Sequence, residues 1–181
     1  MAEITGTRTE VRAALDLRLP GLRLTGIADR IDIRPDGRAD IIDYKTGSSP
    51  STRVARALID PQLALEAAAL RGGAFRDIAP CEPADLIYVR LKPGDRFQAE
   101  RVNNEDRAAT ASVTPKSAVE LAVDAHAELE KLLQLLLDGK RGFVSRLIPE
   151  RERDYGGEYD HLARVAEWSS TDAGGEEGED A

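Results

Sequence analysis

From about Thr9 to Thr46 the chain alternates apolar and polar residues in three runs, EVRAALDLRL, LRLTGIADRIDI and RADIIDYKT. The breaks between them are Pro20-Gly21 and the Arg-Pro-Asp-Gly of residues 34–37. A period of two is the pattern of a half-buried strand, and proline-glycine and aspartate-glycine breaks are tight turns. The three runs therefore predict an antiparallel meander.

Charged residues interrupt this pattern where acids are disfavoured. Strand side chains alternate between faces, so Ile41, Asp43 and Lys45 share one face of the third run, and Ile42 and Tyr44 share the other, where Tyr44 is expected to be buried. In the second run Ile27, Asp29 and Ile31 are expected together. Pairing through the turn brings Asp29 towards Asp43, and two carboxylates in a low dielectric repel unless a cation lies between them. Mg²⁺ or Mn²⁺ suits such hard oxygen ligands, with a backbone carbonyl and waters completing the shell. Lys45 would then direct its ammonium at the same place, to orient a water and stabilise charge on a phosphate. The plainer alternative is a solvated strand face carrying a surface ion pair of little value.

The rest of the chain adds helices to the meander. SSPSTRVARAL reads as a serine and proline loop; Asp60 is expected to cap a helix begun by Pro61 and carried by QLALEAAAL until Gly72-Gly73. ADLIYVRL, residues 84–91, reads as a buried strand, followed across KPGDR by an edge strand, RFQAERV. From about Pro115 to Gly139 the apolar spacing predicts an amphipathic helix, with Val119, Leu121, Val123, Leu129, Leu132, Leu133, Leu136 and Leu137 on its apolar face.

The run GIADRID…IIDYKTG…PQLALEAAAL resembles the RecB-like branch of the PD-(D/E)XK nuclease superfamily. Its motifs are a Gly-x-x-Asp strand, an Asp-Tyr-Lys strand and a Gln-Leu helix. With FVSRLIP and YDHLARVAEWS the chain is also similar, from about Glu10 to Ser169, to the C-terminal nuclease domain of the B subunit (AddB) of AddAB-type helicase-nucleases, which process double-strand DNA breaks. The resemblance implies an α/β restriction-endonuclease-like core, a small mixed sheet flanked by helices. It implies that Asp29, Asp43 and the Tyr44 carbonyl hold Mg²⁺, with Mn²⁺ as substitute, and that Lys45 is the catalytic lysine. Gln62 would contact the site or the DNA backbone. The implied partners are DNA, as single-stranded ends, and an AddA-type subunit.

The chain departs from that pattern in three places. Glu66 stands where the family's Gln-x-x-x-Tyr form has an aromatic. Cys81 is the single cysteine, so no iron-sulfur cluster and no intrachain disulfide is expected. The family's upstream helical acid has no good counterpart, Glu3 and Glu10 being poorly placed, which implies a fragment of a larger subunit.

The implied organisation is a nuclease domain over residues 1–168, lacking the family's first helix, and a disordered acidic tail over 169–181. Five acids of the tail, Asp172, Glu176, Glu177, Glu179 and Asp180, carry most of the net charge of −8, so charge does not exclude a nucleic-acid partner. No apolar run reaches the roughly 18 residues of a membrane span, and a cytoplasmic location is the default expectation. His126 and His161 read as structural. Arg146, Arg151, Arg153 and Arg164 are either phosphate binders or part of a mixed-charge surface. A catalytically inactive DNA-holding or subunit-docking module, or an unrelated α/β binding domain, remains an alternative.

Overall fold

The computed structural model describes residues 3–46, 50–92, 96–110 and 114–139. The chain divides into two units, Met1–Gln134 and Leu135–Ala181, and the fold described belongs to the first. The acidic tail, the YDHLARVAEW segment with His161, and the arginines at 146, 151, 153 and 164 lie outside the described residues.

Five strands form one sheet in the order β1 (Gly6–Asp16), β2 (Arg23–Ile33), β3 (Ala39–Lys45), β4 (Pro83–Lys92) and β5 (Arg96–Arg101). The first three make the expected meander. Its second turn closes where Arg34 N–H donates to the Arg38 carbonyl and Gly37, at φ 80°, takes a left-handed conformation that favours glycine. β3 and β4 are parallel, which requires a crossover, and α1 (Thr52–Arg56) and α2 (Gln62–Arg71) supply it. β5 returns antiparallel to β4. The result is the mixed sheet flanked by helices that the family resemblance implied.

Local signals explain most boundaries and correct three. The serine and proline loop contains α1, capped by Ser51 Oγ accepting from the Val54 N–H at 3.3 Å. Asp60 does not cap α2; Pro61 holds that position, with no side-chain hydrogen bond. Helix α3 (Ala118–Leu137) begins in a reciprocal cap between Ser117 and Glu120. It buries Ala118, Leu121, Ala122 and Ala125, whereas Val123, Leu132 and Leu137 of the expected apolar face are exposed. Small residues seat the helix close to the core, and the leucine stripe lies further along.

Helix α2 is apolar nearly all round and buries Leu63, Ala64, Ala67, Ala68, Ala69 and Leu70, as a helix lodged in a core must. The same cluster contains Ile31 of β2, Ile41 of β3, and Leu86 and Tyr88 of β4. Burying each large apolar side chain is worth roughly 1.5–3 kcal/mol. That platform fixes the polar residues placed among them.

The alternation of β2 breaks at one point. Ala28 and Ile31 are both fully buried while Ile27 is 49 % exposed, so Ile27 and Ile31 do not share a buried face as expected. The β1–β2 ladder is continuous except where Glu10 stands opposite Asp29, and Glu10 has φ 51°. The β2–β3 ladder likewise ends at Arg30↔Ile42, one step short of Asp29. A local irregularity in both strands resets which residues point inward.

Candidate active site

Asp43 lies near the end of β3, paired across the parallel ladder with Tyr88. Its side chain is only 4 % exposed, an expensive place for a carboxylate without partners. Two neighbours supply them. Gln62 Nε2, at the start of α2, donates to Asp43 Oδ1 at 2.6 Å; Lys45 Nζ, two residues along the same face, donates to Oδ1 at 3.1 Å and lies 2.9 Å from Oδ2.

The orientation of the Gln62 amide follows from its surroundings. Its nitrogen also donates to Glu66 Oε1 at 3.1 Å, while its oxygen accepts from Lys45 Nζ at 3.0 Å. Carboxylates demand donors and an ammonium demands an acceptor, so a flipped amide would lose all three bonds. Gln62 and Glu66 are one helical turn apart and share a face of α2.

Glu66, marked in the sequence only as standing where the family form has an aromatic, joins this network through Gln62. Burial pushes its carboxyl up to about 7; the hydrogen bond from Gln62 opposes this, and the charges of Asp43 and Asp29 reinforce it. Glu66 Oε2 is buried without a hydrogen-bond partner among the described residues, and Asp43 Oδ2 is buried with the Lys45 ammonium 2.9 Å away. Burial also raises the pKa of Tyr88, whose hydroxyl is unpartnered too, with Asp60, Asp43 and Glu66 adding negative charge nearby. The Tyr88 ring centroid is 5.8 Å from Lys45 Nζ.

Asp29 enters differently. Its Oδ2 accepts the Tyr44 N–H at 2.9 Å, beyond the end of the strand ladder. The Tyr44 side chain was expected to be buried on the opposite face. It is 38 % exposed, and its hydroxyl accepts from Arg30 Nη1 at 3.2 Å, because Arg30 rather than an apolar layer covers that side. His126 lies on α3, 3.4 Å from Glu130.

Beside Glu66 is a cavity of about 160 Å³ with mainly apolar walls, among them Leu24, Leu65, Ala69 and Phe75, with Gln62 and Thr25. It is large enough for several waters at ~30 Å³ each.

Among the described residues, no three His, Cys, Asp or Glu side chains are gathered closely enough to hold an ion as they stand. The donor chemistry nevertheless fits a hard divalent cation. Glu66 keeps a buried oxygen without a hydrogen bond, and Asp43 Oδ2 already holds a positive charge, the Lys45 ammonium, against it.

A family model for the PD-(D/E)XK nuclease superfamily matches residues 2–155, and the chain belongs to that superfamily. Its mixed sheet and flanking helices are consistent with a restriction-endonuclease-like α/β core. The relatives it matches include an uncharacterized protein of Rickettsia bellii (strain RML369-C), 37 % identical over 59 residues, which are 32 % of this chain and 7 % of the relative. Uncharacterized protein RC0550 of Rickettsia conorii (strain ATCC VR-613 / Malish 7) is 35 % identical over 84 residues, 43 % of this chain and 10 % of its own length. Uncharacterized protein RT0391 of Rickettsia typhi (strain ATCC VR-144 / Wilmington) is 34 % identical over 86 residues, 45 % and 10 % of the two chains. The matches thus span a tenth or less of these relatives. Among solved structures, SSO0001 is similar over 71 % of this chain and 51 % of its own, with 21 % identity and a TM-score of 0.38, too loose a likeness to carry an argument. No helix among the described residues is long and apolar enough to cross a membrane.

Proposed function

We propose that this chain is a divalent-metal-dependent DNA nuclease domain that hydrolyses phosphodiester bonds in single strands. The observation that carries the reading is the network in which buried Asp43 is bound at once by Lys45 and Gln62. Superfamily membership supplies the reaction class. Asp29, Asp43 and the Tyr44 carbonyl would hold Mg²⁺ or Mn²⁺, which when bound supplies charge that lowers the barrier to water attack on phosphorus.

The residues have separable tasks. Lys45, tethered by Gln62 Oε1 at 3.0 Å, presents N–H donors to the oxygen on which charge grows. Gln62 keeps that ammonium on the Asp43 side of the cleft. Tyr88 and the apolar floor beneath it exclude water from below and strengthen each electrostatic contact. We further propose that the domain serves a helicase-nuclease of AddAB type, as part of its AddB subunit, with an AddA-type partner, in the cytoplasm, where double-strand breaks are repaired. The much greater length of the Rickettsia relatives supports a module carried by a larger polypeptide. No iron-sulfur cluster forms part of this reading.

The inactive docking module is the second reading. It is favoured by the absence, among the described residues, of three acids gathered for an ion. Hydrolysis of end-labelled single-stranded DNA with Mg²⁺ or Mn²⁺ separates the two. The nuclease reading expects cleavage that Lys45→Ala and Asp43→Asn abolish; cleavage by neither wild type nor variants, or equal cleavage by all, replaces it with the docking module.

A further inference from the structure

We propose that Glu66 supplies a third carboxylate to the cation of this site, from helix α2 rather than from a helix ahead of the first strand. The inference rests on the nuclease reading above and goes beyond it, since neither the sequence motifs nor superfamily membership gives Glu66 a role.

Three observations carry it. Gln62 Nε2 is shared between Asp43 Oδ1 and Glu66 Oε1, so carboxylates from a strand and a helix meet at one NH₂ group. That single donor group stands between the two acids. Glu66 Oε2 is buried and has no hydrogen-bond partner among the described residues, whereas Asp43 Oδ2, equally buried, has the Lys45 ammonium 2.9 Å away as its counter-charge. Native proteins seldom leave an oxygen such as that of Glu66 in a polar network unless something else satisfies it. Finally, the fully buried residues of α2 are all Leu or Ala, so an acid at 66 is a burden on that packed helix without a counter-charge.

The ion would then replace the Lys45 ammonium at Asp43 Oδ2, while Lys45 keeps its 3.0 Å bond to Gln62 Oε1.

Calorimetric titration of the chain with Mn²⁺, without DNA, tests the assignment. Wild type is expected to bind, Asp43→Asn to lose binding, and Glu66→Gln and Glu66→Ala to bind about tenfold more weakly or worse. Thermal melts in chelator accompany each titration, and Glu66→Gln, which keeps an acceptor for Gln62, is expected to melt no lower than wild type. If both Glu66 variants bind Mn²⁺ like wild type while Asp43→Asn does not, the Glu66 assignment is overturned and the cation site stands. If folded wild type binds no Mn²⁺, the metal-dependent reading falls with it.

Discussion

Lys45 Nζ lies 3.1 Å from one carboxylate oxygen of Asp43 and 2.9 Å from the other, so the ammonium straddles the acid where a cation would sit. Asp43 is almost wholly buried and the Lys45 side chain is 27 % exposed, which places the pair between the surface and interior limits. Lys45→Met should therefore cost about 1–3 kcal/mol of stability without metal, measured by urea unfolding. The same substitution removes a competitor for Asp43, so Mn²⁺ should bind several-fold more tightly while cleavage is lost. Unchanged stability together with weakened Mn²⁺ binding would contradict the straddled geometry.

The carboxyl of Glu66, held at about 7 by burial, gives the fold a pH dependence of definite sign. In the unfolded chain it titrates near 4.5, so between these values the native state binds the extra proton. The stabilisation is complete below ~4.5 and is lost as pH rises through ~7, amounting to roughly 3 kcal/mol at most. Chemical denaturation from pH 4 to 8 in chelator should show this decline in wild type, and Glu66→Gln should flatten it.

Tyr88 is fully buried and its hydroxyl finds no partner among the described residues. Tyr88→Phe keeps the ring that packs on Ile41 and α2 and removes only the orphaned group. Stability should be unchanged or higher by up to about 1 kcal/mol. A loss greater than that, in a differential scan, would mean the hydroxyl has a partner after all.

Arg12 and Arg76 flank an open groove of about 670 Å³ that also includes Gly26, Thr25 and Phe75, residues shared with the cavity beside Glu66. Neither arginine forms an ion pair among the described residues. If a DNA strand follows this groove, Arg12→Gln and Arg76→Gln should each lower the salt dependence of oligonucleotide binding by roughly one phosphate contact. Fluorescence anisotropy across salt concentrations reads that slope, and slopes equal to wild type in both variants would place the strand elsewhere.

The strands and the Asp43, Lys45, Gln62 group were legible because strand alternation and a two-residue spacing dictate a shared face, and a glutamine in the first turn of a helix after a short crossover returns to that strand. Glu66 was harder to read. An acid among leucines and alanines looks like the solvent edge of an amphipathic helix, and its place four residues after Gln62 marked a missing aromatic rather than a buried acid. Tyr44 was misjudged because alternation gives the face but not what covers that face. Ile27 was misjudged because the pattern assumes an unbroken ladder, and Glu10 and Asp29 interrupt it. Buried Asp40 escaped notice since its partner Arg34 lies in the turn and Asp85 lies 45 residues on.

The bond from the Tyr44 N–H to Asp29 Oδ2 makes a side chain the latch of the sheet's margin. A carbonyl in that place would be committed to the backbone, but a carboxylate can be called away by protonation or by an arriving positive charge. The Tyr44 amide is therefore a built-in reporter. Its exchange with solvent deuterium should quicken when Asp29 is neutralised and when Mn²⁺ or Mg²⁺ claims that oxygen, while the amides of Ile31 and Ile41, deep in the ladder, keep their protection.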